Sequence, residues 1–180
     1  MSTPTDAPED IMWEGRFIVA KKMGKWEYVS RARNIRAAVI LAITPEREVV
    51  LVEQFRVPLG RVCIELPAGL IGDDEGAGGE AAEVAAAREL EEETGYRPGR
   101  METIGEFHSS PGMVTESFTM LRAHDLVKVS EGGGLPGENI TVHHVPLAAL
   151  DDFIAGRRAR GDAIDVRLLT LLGPRIMEGI

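Results

Sequence analysis

Four glutamates fall within five residues in Arg88-Glu89-Leu90-Glu91-Glu92-Glu93-Thr94-Gly95-Tyr96, and the run stops at a glycine. The segment ahead of it, Ala81-Ala82-Glu83-Val84-Ala85-Ala86-Ala87, is a strong helix former. At about 100° per residue, Glu92 and Glu93 lie within roughly 60° of Glu89 on one face, and Glu91 points away. Ala82, Ala86 and Leu90 recur at four-residue steps and give the helix an apolar stripe to bury. The pattern is poor for stability. Like charges four apart cost about 0.2–0.5 kcal/mol per pair, and anions crowd a helix C-terminus whose dipole disfavours them. A convergent carboxylate face of this kind suits hard divalent cations, which take oxygen ligands.

A solvated acidic face is the commonest meaning of a bare glutamate run, but the neighbours change the balance. Arg88 stands four residues before Glu92 and is placed to hold it by an ion pair. Gly95 occupies the position of a left-handed C-cap, and Pro98 stops continuation. Glu80 precedes Arg88 with seven residues between. Glu80 through Tyr96 resembles the Nudix box, whose pattern runs glycine, five residues, glutamate, seven residues, then Arg-Glu-apolar-x-Glu-Glu-x-Gly-apolar. The box's leading glycine falls at Asp74; the nearest glycine in a fitting context is Gly69 of Glu65-Leu66-Pro67-Ala68-Gly69-Leu70-Ile71. Gly72-Asp73-Asp74-Glu75-Gly76-Ala77-Gly78-Gly79 then reads as an insertion of five residues in the loop entering the helix. Glu75 has the right spacing from Gly69 but stands too far from Arg88.

Composition narrows the classes. A chain of 180 residues with 44% apolar content fits one domain with a full core. A formal charge of −9 without a basic run argues against a nucleic-acid partner. It also means that a phosphate substrate needs metal ions or local arginines to be welcomed. Cys63 is the only cysteine, so no intrachain disulfide forms. The first ten residues carry no signal-peptide pattern, and no apolar run reaches the roughly 18 residues of a membrane span. A cytoplasmic protein without membrane partners is expected.

Periodicity predicts strands at 16–22 and 25–32 joined by Met23-Gly24, and at 35–43 and 48–55 joined by Thr44-Pro45-Glu46-Arg47. Further strands are expected at 62–66, 101–108, 117–125 and 139–145. Pro146 is expected to open a helix to Ala155 and Asp162 to cap another to about Met177. Residues 1–10 are read as a frayed tail, 11–34 as an N-terminal antiparallel hairpin arm and 35–180 as the main domain. Strands with two or three interspersed helices indicate an α/β class with a mixed sheet between helices. The Nudix resemblance implies the same α/β/α sandwich.

Residues outside the box narrow the resemblance. Leu51-Val52-Glu53-Gln54-Phe55-Arg56-Val57-Pro58, with Glu65-Leu66-Pro67-Ala68-Gly69, looks like the ADP-ribose pyrophosphatase branch. Pro111, fifteen residues beyond Tyr96, stands where that branch carries a proline. Ser110-Pro111-Gly112 and Thr115-Glu116-Ser117 resemble its catalytic loop, and Trp26-Glu27-Tyr28-Val29 resembles its N-terminal strand. The resemblance implies two or three Mg²⁺ ions, with Mn²⁺ able to substitute, held by Glu89, Glu92, Glu93 and the Ala68 carbonyl. It implies Glu116 as base beside Glu92 and Arg88 in the catalytic set, and Arg56, Trp26, Glu65 and Glu53 on the substrate. Each has a structural alternative. Arg56 is a phosphate clamp or a surface ion-pair partner; Trp26 stacks on a base or covers the hairpin. Glu65 touches a ribose or only hydrogen-bonds backbone. Glu116 is a base or an ordinary loop carboxylate.

The implied reaction is hydrolysis of ADP-ribose to AMP and ribose 5-phosphate. GDP- or UDP-sugars fit the same machinery, and a non-catalytic nucleotide-sugar sensor is the rival from another class. The resemblance further implies a homodimer formed through the N-terminal arm.

Overall fold

The computed structural model describes residues 6–32, 36–71 and 81–176. Glu80, the glycine-rich stretch 72–79 and the arm boundary at 34 lie outside the described residues. In chain order the strands are β1 (Glu9–Glu14), β2 (Ile18–Met23), β3 (Trp26–Arg31), β4 (Arg36–Ala42), β5 (Glu48–Arg56), β6 (Arg61–Glu65) and β7 (Ala68–Ile71). Helix α1 (Ala82–Thr94) follows, then β8 (Tyr96–Arg97), β9 (Arg100–His108), β10 (Ser117–His124), β11 (Val127–Lys128) and β12 (Thr141–Pro146). Helix α2 (Leu150–Ala159), β13 (Ala163–Ile164) and helix α3 (Leu169–Ile176) complete the order.

Two four-stranded sheets form the centre, ordered β7-β4-β10-β9 and β12-β5-β6-β13. Both are mixed, because β10 runs parallel to β4 and β13 parallel to β6 while the other pairs are antiparallel. Successive residues of a strand point to opposite faces, and the central strands are apolar on both. Val39, Val49, Leu51 and Met120 pack with Leu150 and Ile154 of α2 and Leu172 of α3. Their neighbours Ile40, Val50 and Leu121 pack with Ala85, Ala86 and Leu90 of α1. The result is the expected α/β/α sandwich. Among the described residues no helix is long and apolar enough to cross a membrane.

The N-terminal arm differs from expectation. Residues 9–14, read as tail and hairpin edge, form β1 antiparallel to β2, so the arm is a three-stranded sheet. Its second turn is Gly24-Lys25 rather than Met23-Gly24, since Met23 pairs directly with Trp26 and Gly24 takes φ 57°. At the other end, Pro146 both closes β12 and takes the cap position of the turn Leu147–Ala149 that leads into α2, one position ahead of the first helical residue rather than at it, and α2 runs four residues beyond the expected end at Ala155. Asp162 does not cap the last helix: its carboxylate faces Arg157 at 2.8 Å, and Asp165 caps the turn Val166–Leu168 ahead of α3. Aspartate wins that cap where its oxygen meets a free N–H, here that of Arg167.

Candidate active site

Helix α1 ends as its sequence dictates. Gly95 takes φ 77° and its N–H bonds to the Glu91 carbonyl at 2.9 Å, and a Cβ there would meet the Ser130 carbonyl. The apolar stripe faces the core, so rotation of the helix about its axis is fixed and the carboxylates follow. Glu91 turns outward to a bidentate pair with Arg97. Glu89, Glu92 and Glu93 turn toward a cleft of about 720 Å³.

The strand β7 closes over this face. A Cβ on Gly69 would lie 2.0 Å from Cγ of Glu89, so only glycine lets the backbone approach. The Ala68 N–H donates to Oε2 of Glu93 at 3.1 Å. Ala68 therefore does more than present a carbonyl, the one contribution expected of it. Burial pushes the Glu93 carboxyl up to about 8; the charges of Glu89 and Glu138 reinforce the shift, while the Ala68 bond and Arg56 oppose it. Burial also raises Glu89, with Arg88 opposing and Glu92 and Glu138 adding to the rise. Arg88 sits between two of the carboxylates, with Nη1 at 3.0 Å from Glu89 and 3.5 Å from Glu92.

Across the cleft, Arg56 at the end of β5 forms a two-pronged pair with Glu65 at the end of β6, at 2.6 and 2.9 Å. Glu65 is 2% exposed. Arg167, after β13, reaches the same carboxylate at 3.3 Å. Glu116 enters from the loop before β10 and its Oε1 accepts from Nε of Arg31 at 2.5 Å. That loop is fastened to the arm, because Val29 donates to the Met113 carbonyl and accepts from the Thr115 N–H. Glu138, in the glycine-containing loop before β12, completes the rim and accepts from the Leu135 N–H at 2.7 Å.

Eight of the ten residues singled out from sequence thus line one cleft, although they come from four separate stretches of chain. Two do not. Glu53 is engaged by His143 at 2.8 Å and by the buried Arg157 at 2.5 Å, which ties β5 to β12 and α2 and turns Glu53 away from the cleft. Trp26 is half exposed on β3 and stands outside the cleft of its own chain. Arg31, Glu138, Asp165 and Arg167 also line it, and sequence reasoning missed all four. For Glu138 and Asp165 a signal existed, a carboxylate in a glycine-rich loop and one at a helix start. Nothing in sequence pointed to the two arginines.

Seven carboxylates line the cleft against four arginines, an excess of three negative charges when all are ionised and of two while Glu93 keeps its proton. Among the described residues no three acidic, histidine or cysteine side chains stand already in metal-ligand geometry. The donor chemistry nevertheless fits a hard divalent cation. Glu89 and Glu93 are oxygen donors whose ionised forms the fold opposes, and among the described residues Glu93 has no arginine within bonding distance to compensate it.

A pH effect follows from Glu93. Its folded pKa lies above its ordinary value of 4.5. Between that value and about 8 the native state holds a proton that the unfolded chain has released. Stability from this group is full below the ordinary carboxyl range and is lost as pH rises through about 8. In chelator-containing buffer, Glu93→Gln should gain stability over the wild type as pH is raised from 5 to 8, measured by urea unfolding. A gap that stays constant with pH would show that Glu93 is not the group.

The sequence pattern of the NUDIX domain matches residues 33–167. The chain is 40% identical over 95 residues to an ADP-ribose pyrophosphatase of Bacillus subtilis, covering 53% of this chain and 49% of that one. It is 40% identical over 125 residues to a GDP-mannose pyrophosphatase of Cronobacter sakazakii, covering 64% and 62%. Each match spans less than two thirds of the relative's length. A crystal structure of an ADP compounds hydrolase superposes with a TM-score of 0.67 over 94% of this chain and 91% of that one, at 22% identity, which is a likeness of fold. The domain match covers three quarters of the chain and includes α1 and all eight cleft residues anticipated from sequence, and on that ground the chain belongs to the Nudix hydrolase family.

Proposed function

We propose that this Nudix hydrolase cleaves the pyrophosphate bond of ADP-ribose, giving AMP and ribose 5-phosphate, with two or three Mg²⁺ ions that Mn²⁺ can replace. The observation that carries the reading is the charge of the cleft. A diphosphate entering a site with an excess of negative charge, two with Glu93 protonated and three with it ionised, is repelled unless cations accompany it. Bound divalent cations lower the pKa of a coordinated water and neutralise charge on the phosphates.

The chain's own residues supply the rest. Glu89, Glu92 and Glu93 would hold the metals together with the Ala68 carbonyl, and Arg88 fixes the orientation of Glu89 and Glu92. Arg56 commits Nε and Nη2 to Glu65 and keeps Nη1 for a phosphate oxygen. Glu65 itself serves the substrate by aiming Arg56. Glu116 accepts the proton of the attacking water as the new P–O bond forms and the bridging P–O bond breaks. A nucleoside diphosphate sugar with another base is the alternative, favoured by the Cronobacter relative's name. A cytoplasmic setting belongs to the same proposal and rests on the lone, buried, unpaired Cys63.

Incubation with Mg²⁺ and separate ADP-ribose, GDP-mannose and UDP-glucose, followed by chromatography of the nucleoside monophosphates, tests the reading. AMP from ADP-ribose at the highest kcat/KM is expected. Binding of a nucleotide sugar with no monophosphate released from any of them would sink the enzyme in favour of a sensor.

The homodimer is also proposed. The three-stranded arm exposes Ile11, Met12, Trp13, Phe17, Ile18 and Trp26, each at least 43% accessible in the single chain. An apolar surface of that kind marks an interaction site, and pairing of two copies brings Trp26 toward the partner's cleft. Sedimentation at micromolar concentration should show a dimer. A fully active monomer would refute this assembly.

A further inference from the structure

Opposite the carboxylate face, the cleft holds a charged assembly that the C-terminal part of the chain builds. Strand β13 runs parallel to β6, with Ala163 opposite Cys63 and Ile164 opposite Ile64. The Asp165 N–H extends that pairing to the Ile64 carbonyl at 3.0 Å. The pairing delivers the turn Val166–Leu168 to the end of β6, where Glu65 stands. Asp165 then grips Arg167 three times, accepting from its backbone N–H at 2.7 Å, from Nε at 2.7 Å and from Nη2 at 2.6 Å. The guanidinium lies 5.8 Å from the ring centre of Phe118, within cation–π range. From this fixed seat Nη2 reaches Oε2 of Glu65 at 3.3 Å.

Glu65 consequently receives two guanidiniums from opposite sequence directions while almost fully buried. One bidentate arginine already matches a carboxylate in charge and geometry, so the second is not needed to compensate Glu65. What the second adds is orientation. A carboxylate held by Arg56 alone turns with it about the Glu65 side-chain torsions; one pinned also by an arginine locked to Asp165 does not. Among the described residues, neither Nη1 of Arg56 nor Nη1 of Arg167 has a protein acceptor; of the two, the Arg56 donor is the one whose direction this arrangement sets through Glu65. Functional side chains held by such outer contacts lose activity when the contact is removed, even though it never touches the substrate.

We propose that Arg167 is a positioning residue: it fixes Glu65 and, through Glu65, aims Arg56 at the phosphates of the substrate. The inference rests on the reading of the cleft as a nucleoside diphosphate sugar site. Its test is a double-mutant cycle on Arg56→Gln, Arg167→Gln and both together. Binding of ADP with Mg²⁺ is measured by calorimetry, and steady-state kinetics use whichever nucleotide sugar the wild type hydrolyses best. Arg167→Gln should weaken ADP binding about tenfold, the scale given for outer-shell contacts, with the kinetic loss falling mainly on KM. The double variant should bind no more weakly than Arg56→Gln alone, because Arg167 acts only through Arg56. Arg167→Lys, which keeps the charge but not the fork to Asp165, carries the same cycle if the glutamine variant does not fold.

Wild-type affinity in the Arg167 variants would overturn the proposal. Additive losses would overturn it too, since they would place Arg167 on the ligand itself or in the general stability of the cleft. If the wild type binds ADP and shows the coupling yet hydrolyses nothing, the enzymatic reading falls and the role of Arg167 stands. Turnover without coupling does the reverse, and a wild type that neither binds ADP nor hydrolyses any of the three nucleotide sugars overturns both.

Discussion

Glu93→Gln is expected to reduce Mg²⁺-dependent turnover by at least about a hundredfold, the scale on which preorganised charge acts at a reacting centre, while the protein stays folded. The substitution removes a charge without changing shape. Its carboxylate is buried, pushed up to about 8, and held, among the described residues, by the backbone N–H of Ala68. Removing that charge relieves repulsion from Glu89 and Glu138, so the metal-free variant should melt no lower than the wild type. Glu91→Gln is the matched control. Glu91 stands on the same helix but faces solvent and Arg97, and exposed pairs contribute little; its turnover should be unchanged. Turnover near that of the wild type in Glu93→Gln would remove Glu93 from the metal site, whatever the helix pattern implies.

The second large effect concerns the proton. If Glu116 accepts it from the attacking water, Glu116→Gln should lower turnover by about 10²–10⁴, the usual worth of a positioned acid–base group, and leave ADP binding nearly intact. The structure pairs Glu116 with Arg31 at 2.5 Å, and both side chains line the cleft. Under the proposed function, a substrate phosphate would compete for the same guanidinium and open the pair as the site fills. Glu138 is the competitor. It lies on the same cleft and its charge raises both Glu89 and Glu93. The comparison is therefore among Glu116→Gln, Glu138→Gln and Glu92→Gln, with metal and ADP affinity measured separately by calorimetry. Full activity in Glu116→Gln, with a turnover-only loss in one of the others, would transfer the base to that residue.

Such comparisons are needed because the site is half local and half not. The orientation of Glu89, Glu92 and Glu93, the exclusion of Glu91, the stop at Gly95 and the pairing of Arg88 with Glu92 were legible in sequence. All are fixed by helix geometry and contacts within four residues, and a 3.6-residue period transmits them directly. The alternation that sends Val39 to one core and Ile40 to the other was equally legible as apolar runs on both-face-buried strands. The sandwich followed from these with the family resemblance.

Only the tertiary structure decided the rest. Arg31 meets Glu116 across 85 positions of sequence, and Arg167 meets Glu65 across 102. Both contacts depend on strand register, the first on Val29 docking against the loop at Val114 and the second on β13 lying beside β6. Register is set by packing of whole faces and leaves no mark on the residues it brings together. Glu53, which shares its motif with Arg56, stands outside the cleft for a local reason instead. Three positions apart on a strand puts two side chains on opposite faces, and the structure gives Glu53 to His143 and Arg157 while Arg56 goes to the cleft. The chain wrote its carboxylate face in one helix; the wall that faces it exists only once the sheets have closed.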